Sequence, residues 1–226
     1  QNLYYRTFPA VEVQQTFYEP PPLATLRRWR EAAPEDFEFT MKAWQLITHR
    51  ATSGTYRRLK TTLAPVDRQG CGGFQATDIV LRAWETTLAC ARTLRASAIL
   101  FQCPASFRPT DENVSSLRNF FSSIERAEGV KLLFEPRGQW PDDLLRDITR
   151  ELELVDAVDP FLRSSVTPDF LYWRLHGIGS FYRPYTDEEL GELIARLPAR
   201  TPTYVMFNNI PRPADARRFM ELAAIL

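Results

Sequence analysis

The stretch AILFQCPASFRPTDENVSSLRNFFSSIERAEGVKLLFEPR, from Ala98 to Arg137, decides the fold class. It opens on one short apolar run, Ala98 to Pro104, and closes on another, Lys131 to Arg137, each of strand length and rich in aliphatic and aromatic residues. Between them Glu112 to Ala127 is amphipathic with a helical period, and the acid Asp111 stands at its start, where a helix N-terminus favours negative charge. Strand, helix, strand in this order is the repeat of a parallel sheet with helices packed outside it.

Working outward, the same alternation covers most of the chain. Further strands are expected at Ala10 to Thr16, Phe37 to Ala43, Leu154 to Asp159, Leu171 to Gly177 and Thr203 to Asn208, which makes seven in all. Helices are expected at Leu23 to Ala33, Asp78 to Leu94, Asp142 to Leu152, Asp187 to Leu197 and Ala214 to Leu226. Thr62 to Thr77, with Gly70, Gly72 and Gly73, reads as a mobile loop or insertion. The pattern predicts an α/β fold, a TIM-type (β/α) barrel, as one domain over residues 1–226. Such a barrel has eight strands, and Asn2 to Phe8 reads as the end of a helix, so the usual first strand is expected to be lacking.

Bulk properties narrow the function. Lys plus Arg equals Asp plus Glu at 28 each, so no global field recruits a polyanion or an acidic membrane, and nucleic-acid binding would need a local patch. Cys71, Cys90 and Cys103 show no paired metal-ligand spacing and read as reduced thiols. No apolar run approaches the ~20 residues of a membrane span, and no basic-then-apolar leader precedes Tyr4. The cytoplasm is the expected compartment, with no membrane partner.

Strand parity then sorts side chains. Glu12, Gln14 and Thr16 oppose Val11 and Val13; Thr40 and Lys42 oppose Phe39 and Met41; Glu135 and Arg137 oppose Leu132 and Phe134; Arg174 and His176 oppose Trp173 and Leu175. Gln102 and Asn208 join the polar set. These residues cluster toward C-terminal strand ends, where barrels of this type hold their active sites. Lys42, Arg137 and Arg174 outnumber Glu12 and Glu135 by one, which points to an anionic ligand. A buried salt-bridge network without chemistry is the rival reading.

Six blocks carry a resemblance over nearly the whole chain: VEVQQTFY (Val11 to Tyr18), FEFTMKAWQLITH (Phe37 to His49), LFQCPASF (Leu100 to Phe107), EPRGQW (Glu135 to Trp140), YWRLHG (Tyr172 to Gly177) and YVMFNN (Tyr204 to Asn209). The chain resembles the domain of unknown function 72 family, also called YecE-like. The resemblance implies a TIM-type barrel of undetermined activity, related in shape to sugar isomerases and to endonuclease IV-like metal enzymes. It departs from the family pattern in lacking a glycine-containing first strand and in carrying Gln14 where members tend to have Asn.

Specific chemistries can be weighed on the residues. His49 and His176, the only histidines, make a sparse metal set even with Glu12 or Glu135, and each reads more simply as a rim hydrogen-bonding group, so no metal or other cofactor is required. Glu12 and Glu135 are the one strand-end carboxylate pair for glycoside hydrolysis. Cys103 falls on the outer, core-packed parity. Anion binding is favoured by His176-Gly177-Ile178-Gly179-Ser180 and by the helix start near Pro213 after Asn208 and Asn209. Phe17, Tyr18, Trp44, Trp140, Tyr182 and Tyr185 could stack on a ring.

The leading expectation is an enzyme, hydrolase or isomerase, acting on a small phosphorylated or anionic ring-containing substrate. Glu12, Glu135 and His176 would be catalytic; Lys42, Gln102, Arg137, Arg174, Asn208, Tyr18, His49 and Trp140 would bind. On this reading Arg174→Ala removes anion binding and leaves the melting temperature nearly unchanged. The alternatives are a non-catalytic binding or scaffold barrel, with nucleic acid as a less favoured ligand, and a metal-dependent hydrolase.

Overall fold

Strand formation follows from burial on both faces. In the computed structural model, which describes residues 2–225, every residue of the central strands from Phe39 to Lys42 and from Ala98 to Phe101 is buried, as expected of parallel strands covered by helices. The chain forms two compact units that divide between Leu154 and Val155.

The first unit runs α1 (Asn2–Thr7), β1 (Ala10–Val13), α2 (Gln15–Tyr18), α3 (Leu23–Ala32), β2 (Glu38–Lys42), α4 (Gln45–Thr48), a 3-10 turn (Gly54–Arg58), α5 (Pro65–Gly70), α6 (Asp78–Leu94), β3 (Ala98–Gln102), α7 (Asp111–Ser123), β4 (Lys131–Glu135) and α8 (Asp142–Glu151). Its strands pair in chain order and in parallel: Glu12 lies opposite Thr40, Lys42 opposite Leu100, and Gln102 opposite Glu135. The second unit holds β5 (Val155–Val158), β6 (Leu171–Leu175), α9 (Asp187–Ala195), β7 (Thr203–Phe207) and α10 (Arg212–Ala223), again parallel and in chain order. Seven parallel strands flanked by helices give the α/β architecture of a TIM-type barrel. Among the described residues no helix is long and apolar enough to cross a membrane.

Each expected strand is present, and most are shorter than the sequence suggests. The first ends at Val13 because Gln14 turns into the right-handed helical region, and Thr16, read as a strand residue, lies in α2 with its hydroxyl donating to the Lys42 carbonyl at 2.7 Å. The helices follow local rules. α6 buries Val80, Ala83, Trp84, Thr87, Leu88, Ala91 and Leu94, one stripe at spacings of three and four. α9 opens on a capping box in which Thr186 accepts from the Glu189 N–H and Glu189 accepts from the Thr186 N–H.

Within residues 62–77, read from the sequence as a mobile loop or insertion, one part is helical and another is docked on the core. Pro65–Gly70 is helical, and the glycines that suggested flexibility dock the backbone onto α4: Gly72 N–H reaches the Leu46 carbonyl at 2.7 Å and Phe74 N–H the Ile47 carbonyl at 2.9 Å. Gly72 is at φ +79°, and a β-carbon there would fall 2.2 Å from the His49 carbonyl carbon, so only glycine fits. This docking drives the fully buried Phe74 into an aromatic cluster with Phe101, Phe107, Phe120, Phe121 and Phe134, ring centroids 5.3 to 6.3 Å away. Phe74→Ala is therefore expected to cost about 3–5 kcal/mol of stability, as for other buried Phe truncations, measured by urea unfolding. A loss below about 1 kcal/mol would show that the segment is not part of the core.

Candidate functional site

In the first unit the C-terminal strand ends collect five of the expected side chains. Lys42, at the end of β2, is buried, donates from Nζ to Gln102 Oε1 at 2.5 Å, and lies 4.0 Å over the Phe17 ring. Gln102 ends β3 beside Glu135, which ends β4. Glu135 is only 5% exposed and meets Arg137 Nε at 2.9 Å, while the Arg137 side chain is 37% exposed. Parity explains that bridge: two residues apart in an extended chain, both point to one side. Glu12, on β1, accepts from Gln14 Nε2. Among these five side chains two cations face two carboxylates; Arg174, the third cation of the expected set, lies on β6 of the second unit.

The remaining first-unit candidates have other duties. His49 is buried, its Nδ1 lies 2.8 Å from the Thr48 hydroxyl, and its ring packs edge-on to Phe17. Burial, with a smaller contribution from the Lys42 charge, pushes its pKa down to about 4, so it is neutral at pH 7. Tyr18 carries the Arg58 guanidinium 3.5 Å over its ring, and its carbonyl accepts from Trp44 Nε1 and Gln45 Nε2. Trp140, expected at a ligand, is turned inward: it stacks on Phe107 and donates its indole N–H to the Phe107 carbonyl at 3.2 Å. Cys103 is buried in the core as parity required, its thiol pKa well raised by that burial.

In the second unit His176 Nδ1 lies 3.2 Å from Asn208 Nδ2, the rim hydrogen bond expected from the simpler reading of the histidines. The His176 backbone N–H donates to Asp159 Oδ2 at 3.0 Å. Arg174 is 0% exposed and engaged with neighbours, so the expectation that Arg174→Ala spares stability does not survive. The expected anion loops are also committed internally. Gly177 N–H donates to the Tyr185 hydroxyl at 2.8 Å, and Gly177 (φ +93°) lets the chain turn back on Ser180, whose carbonyl oxygen lies 2.5 Å from where a β-carbon would stand. The start of α10 already has an anion: Asp215, buried in its first turn, accepts from Asn209 Nδ2 at 2.6 Å.

Three comparisons bear on this arrangement. A family model described as "Protein of unknown function DUF72" matches residues 2–226. The chain belongs to the DUF72 family. Crystal structures of a DUF72 family protein from Enterococcus faecalis V583 are similar in fold. One has 20% identity and a TM-score of 0.73, with 99% of this chain and 92% of that one covered; a second has 19% and 0.70, covering 96% and 85%. A DUF72 family protein from Thermotoga maritima MSB8 shares 23% identity with a TM-score of 0.68, over 96% of this chain and 85% of that one. No curated protein matches. At these identities the likeness shows the fold alone.

Two site residues of this DUF72 chain escaped the sequence reading. Asp159 lies at the end of a strand whose parity was not followed, and the signal was its place one residue past β5. Asp215 was legible as an acid in a helical first turn, where its negative charge is favourable. Among the described residues no three His, Cys, Asp or Glu side chains converge as a metal-ligand group.

Two measurements check the electrostatics. A histidine with its pKa depressed from 6.5 to about 4 stays neutral in the folded state while the unfolded chain takes up a proton. Stability is then full above pH 6.5 and falls as pH drops toward 4. From pH 7 to pH 5 the His49 contribution to that fall is about 2 kcal/mol, read from urea titrations, and His49→Phe is expected to flatten it. Arg174→Ala is expected to destabilise by about 3–5 kcal/mol, because truncation leaves buried polar neighbours uncompensated; an unchanged unfolding midpoint would reverse that assignment.

Proposed function

We propose that this DUF72 chain is an enzyme acting on a small phosphorylated or otherwise anionic, ring-containing substrate at the C-terminal strand ends of its first unit. The reading rests on one observation: a nearly buried Glu135 is ion-paired to the more accessible Arg137, in register beside a Gln102 that already holds Lys42. Accessible Arg137 would meet the anion first, its planar fork suiting phosphate or carboxylate oxygens. An anion that draws Arg137 away from Glu135 would make that carboxylate a stronger base, which couples binding to proton transfer. Lys42, fixed by Gln102 and Phe17, would supply a second positive charge, and Glu12 is the other carboxylate on these strand ends. Tyr18, partly exposed, is the aromatic side chain that favours a ring in the substrate. Proton abstraction, with isomerisation or hydrolysis as its outcome, is the reaction class this set suits. Because every charge named has a partner, a binding barrel without turnover is the second reading.

Titration calorimetry with a panel of sugar phosphates and nucleotides tests both. One class is expected to bind, with Arg137→Gln weakening it at least tenfold and Glu135→Gln keeping binding while turnover falls to background. Binding without turnover in the unaltered protein would favour the second reading. A panel that gives no binding, or binding indifferent to Arg137, would remove the proposal.

A further inference from the structure

From Phe39 to Val66 the chain contains no Asp or Glu, while Lys42, Arg50, Arg57, Arg58 and Lys60 lie in that stretch. In a chain whose opposite charges are equal in number, this is a local concentration of positive charge. The structure keeps four of the five on the surface: Arg50, Arg57, Arg58 and Lys60 are all exposed. Arg82, Arg92, Arg118, Arg146, Arg150 and Arg218 are exposed and each meets a carboxylate, while other exposed arginines such as Arg27, Arg95 and Arg108 stand singly; four exposed cations within eleven residues are what set this stretch apart. Among the described residues, none of these four side chains forms an ion pair. Glu19, whose charge is felt by Lys60, accepts from the backbone N–H groups of Lys60 and Thr61 and from the Thr61 hydroxyl without a close ion pair to any of the four.

The platform beneath the charges is ordered by its own contacts. Tyr56 is buried within the 3-10 turn and donates its hydroxyl to the His49 carbonyl at 2.7 Å, and the Ser53 hydroxyl accepts from the Thr55 N–H. Arg58 lies flat enough on Tyr18 to bring its guanidinium carbon 3.5 Å from the ring centroid. Arginine stacked on an aromatic ring, beside further cations, combines what a phosphate backbone and a base face each require.

We propose that residues 50–60, with Tyr18, form a surface that binds the sugar-phosphate backbone of single-stranded nucleic acid, with one base stacked at the Arg58–Tyr18 pair. The surface shares Tyr18 with the substrate reading above but uses neither Glu135 nor Arg137, so it does not rest on the catalytic reading. An acidic polypeptide would satisfy the charges and leave the stacked pair unused. A membrane surface would call for apolar anchors, and no large apolar side chain is exposed between Arg50 and Lys60.

The test is fluorescence anisotropy with a labelled uridine 20-mer on the full chain. Four phosphate contacts predict a slope of log K against log salt of roughly −3, so affinity falls about fifty-fold between 50 and 200 mM salt. Replacing Arg50, Arg57, Arg58 and Lys60 together by Gln is expected to weaken binding at least tenfold. The variant Arg50→Gln with Arg57→Gln and Lys60→Gln, which leaves the Arg58–Tyr18 stack in place, guards against a folding defect and is expected to lose at least fivefold. Removing two paired arginines, by Arg146→Gln with Arg150→Gln, is expected to change nothing. An abasic 20-mer should bind at least threefold more weakly than the uridine chain. The proposal is overturned if the fourfold variant binds normally, if the control variants weaken binding equally, or if polyglutamate or anionic vesicles compete as well as the 20-mer at equal charge.

Discussion

Parallel pairing places Gln102 beside Glu135 and Lys42 beside Leu100, two residues before the end of β3 and on the same face as Gln102, and the arrangement of the first unit depends on that register. A slip of one residue would exchange the two faces of a strand, carrying Phe101 and Phe134 into the polar set and Gln102 and Glu135 into the aromatic core. The aromatic cluster makes such a slip costly, because Phe101 and Phe134 are both fully buried in it. The same packing that stabilises the strands therefore holds the polar side chains at their ends in place.

Polar groups at these ends are held mainly by one another. Lys42 is placed by Gln102 and by the face of Phe17, Arg137 by Glu135, and His176 by Asn208. Arrangements of this kind keep buried charge tolerable, since a paired charge loses far less on leaving water than an isolated one. They also set the terms for any ligand, which must replace a contact at least as well as it is already made. Arg137 meets that condition more easily than Arg174, because one is partly exposed and the other is fully enclosed. The start of α10 meets it less easily, because the buried Asp215 already places a carboxylate in that first turn.

The connection between β2 and α6 carries more of the molecule's character than its composition suggests. Gly72 is a site of close approach, and through Phe74 the connection completes the core of the first unit. Its other half displays basic side chains on a turn anchored by Tyr56. Stability and surface charge thus come from one long connection, with burial at one end and exposure at the other.

Local patterning in the sequence was enough for the seven strands, the principal helices and the α/β class, because strand and helix periods depend on neighbours a few residues apart. Parity likewise identified Lys42, Gln102, Glu135 and Arg137 as a polar set, and the six sequence blocks pointed to the family. What only tertiary structure decided was the use of each group: Trp140 as a core ring, Arg174 as an enclosed charge, His49 as a neutral base, Asp215 as the buried partner of Asn209, and residues 71–74 as part of the core. Those outcomes depend on burial and on partners distant in the chain, and neither quantity is a property of a residue's local sequence.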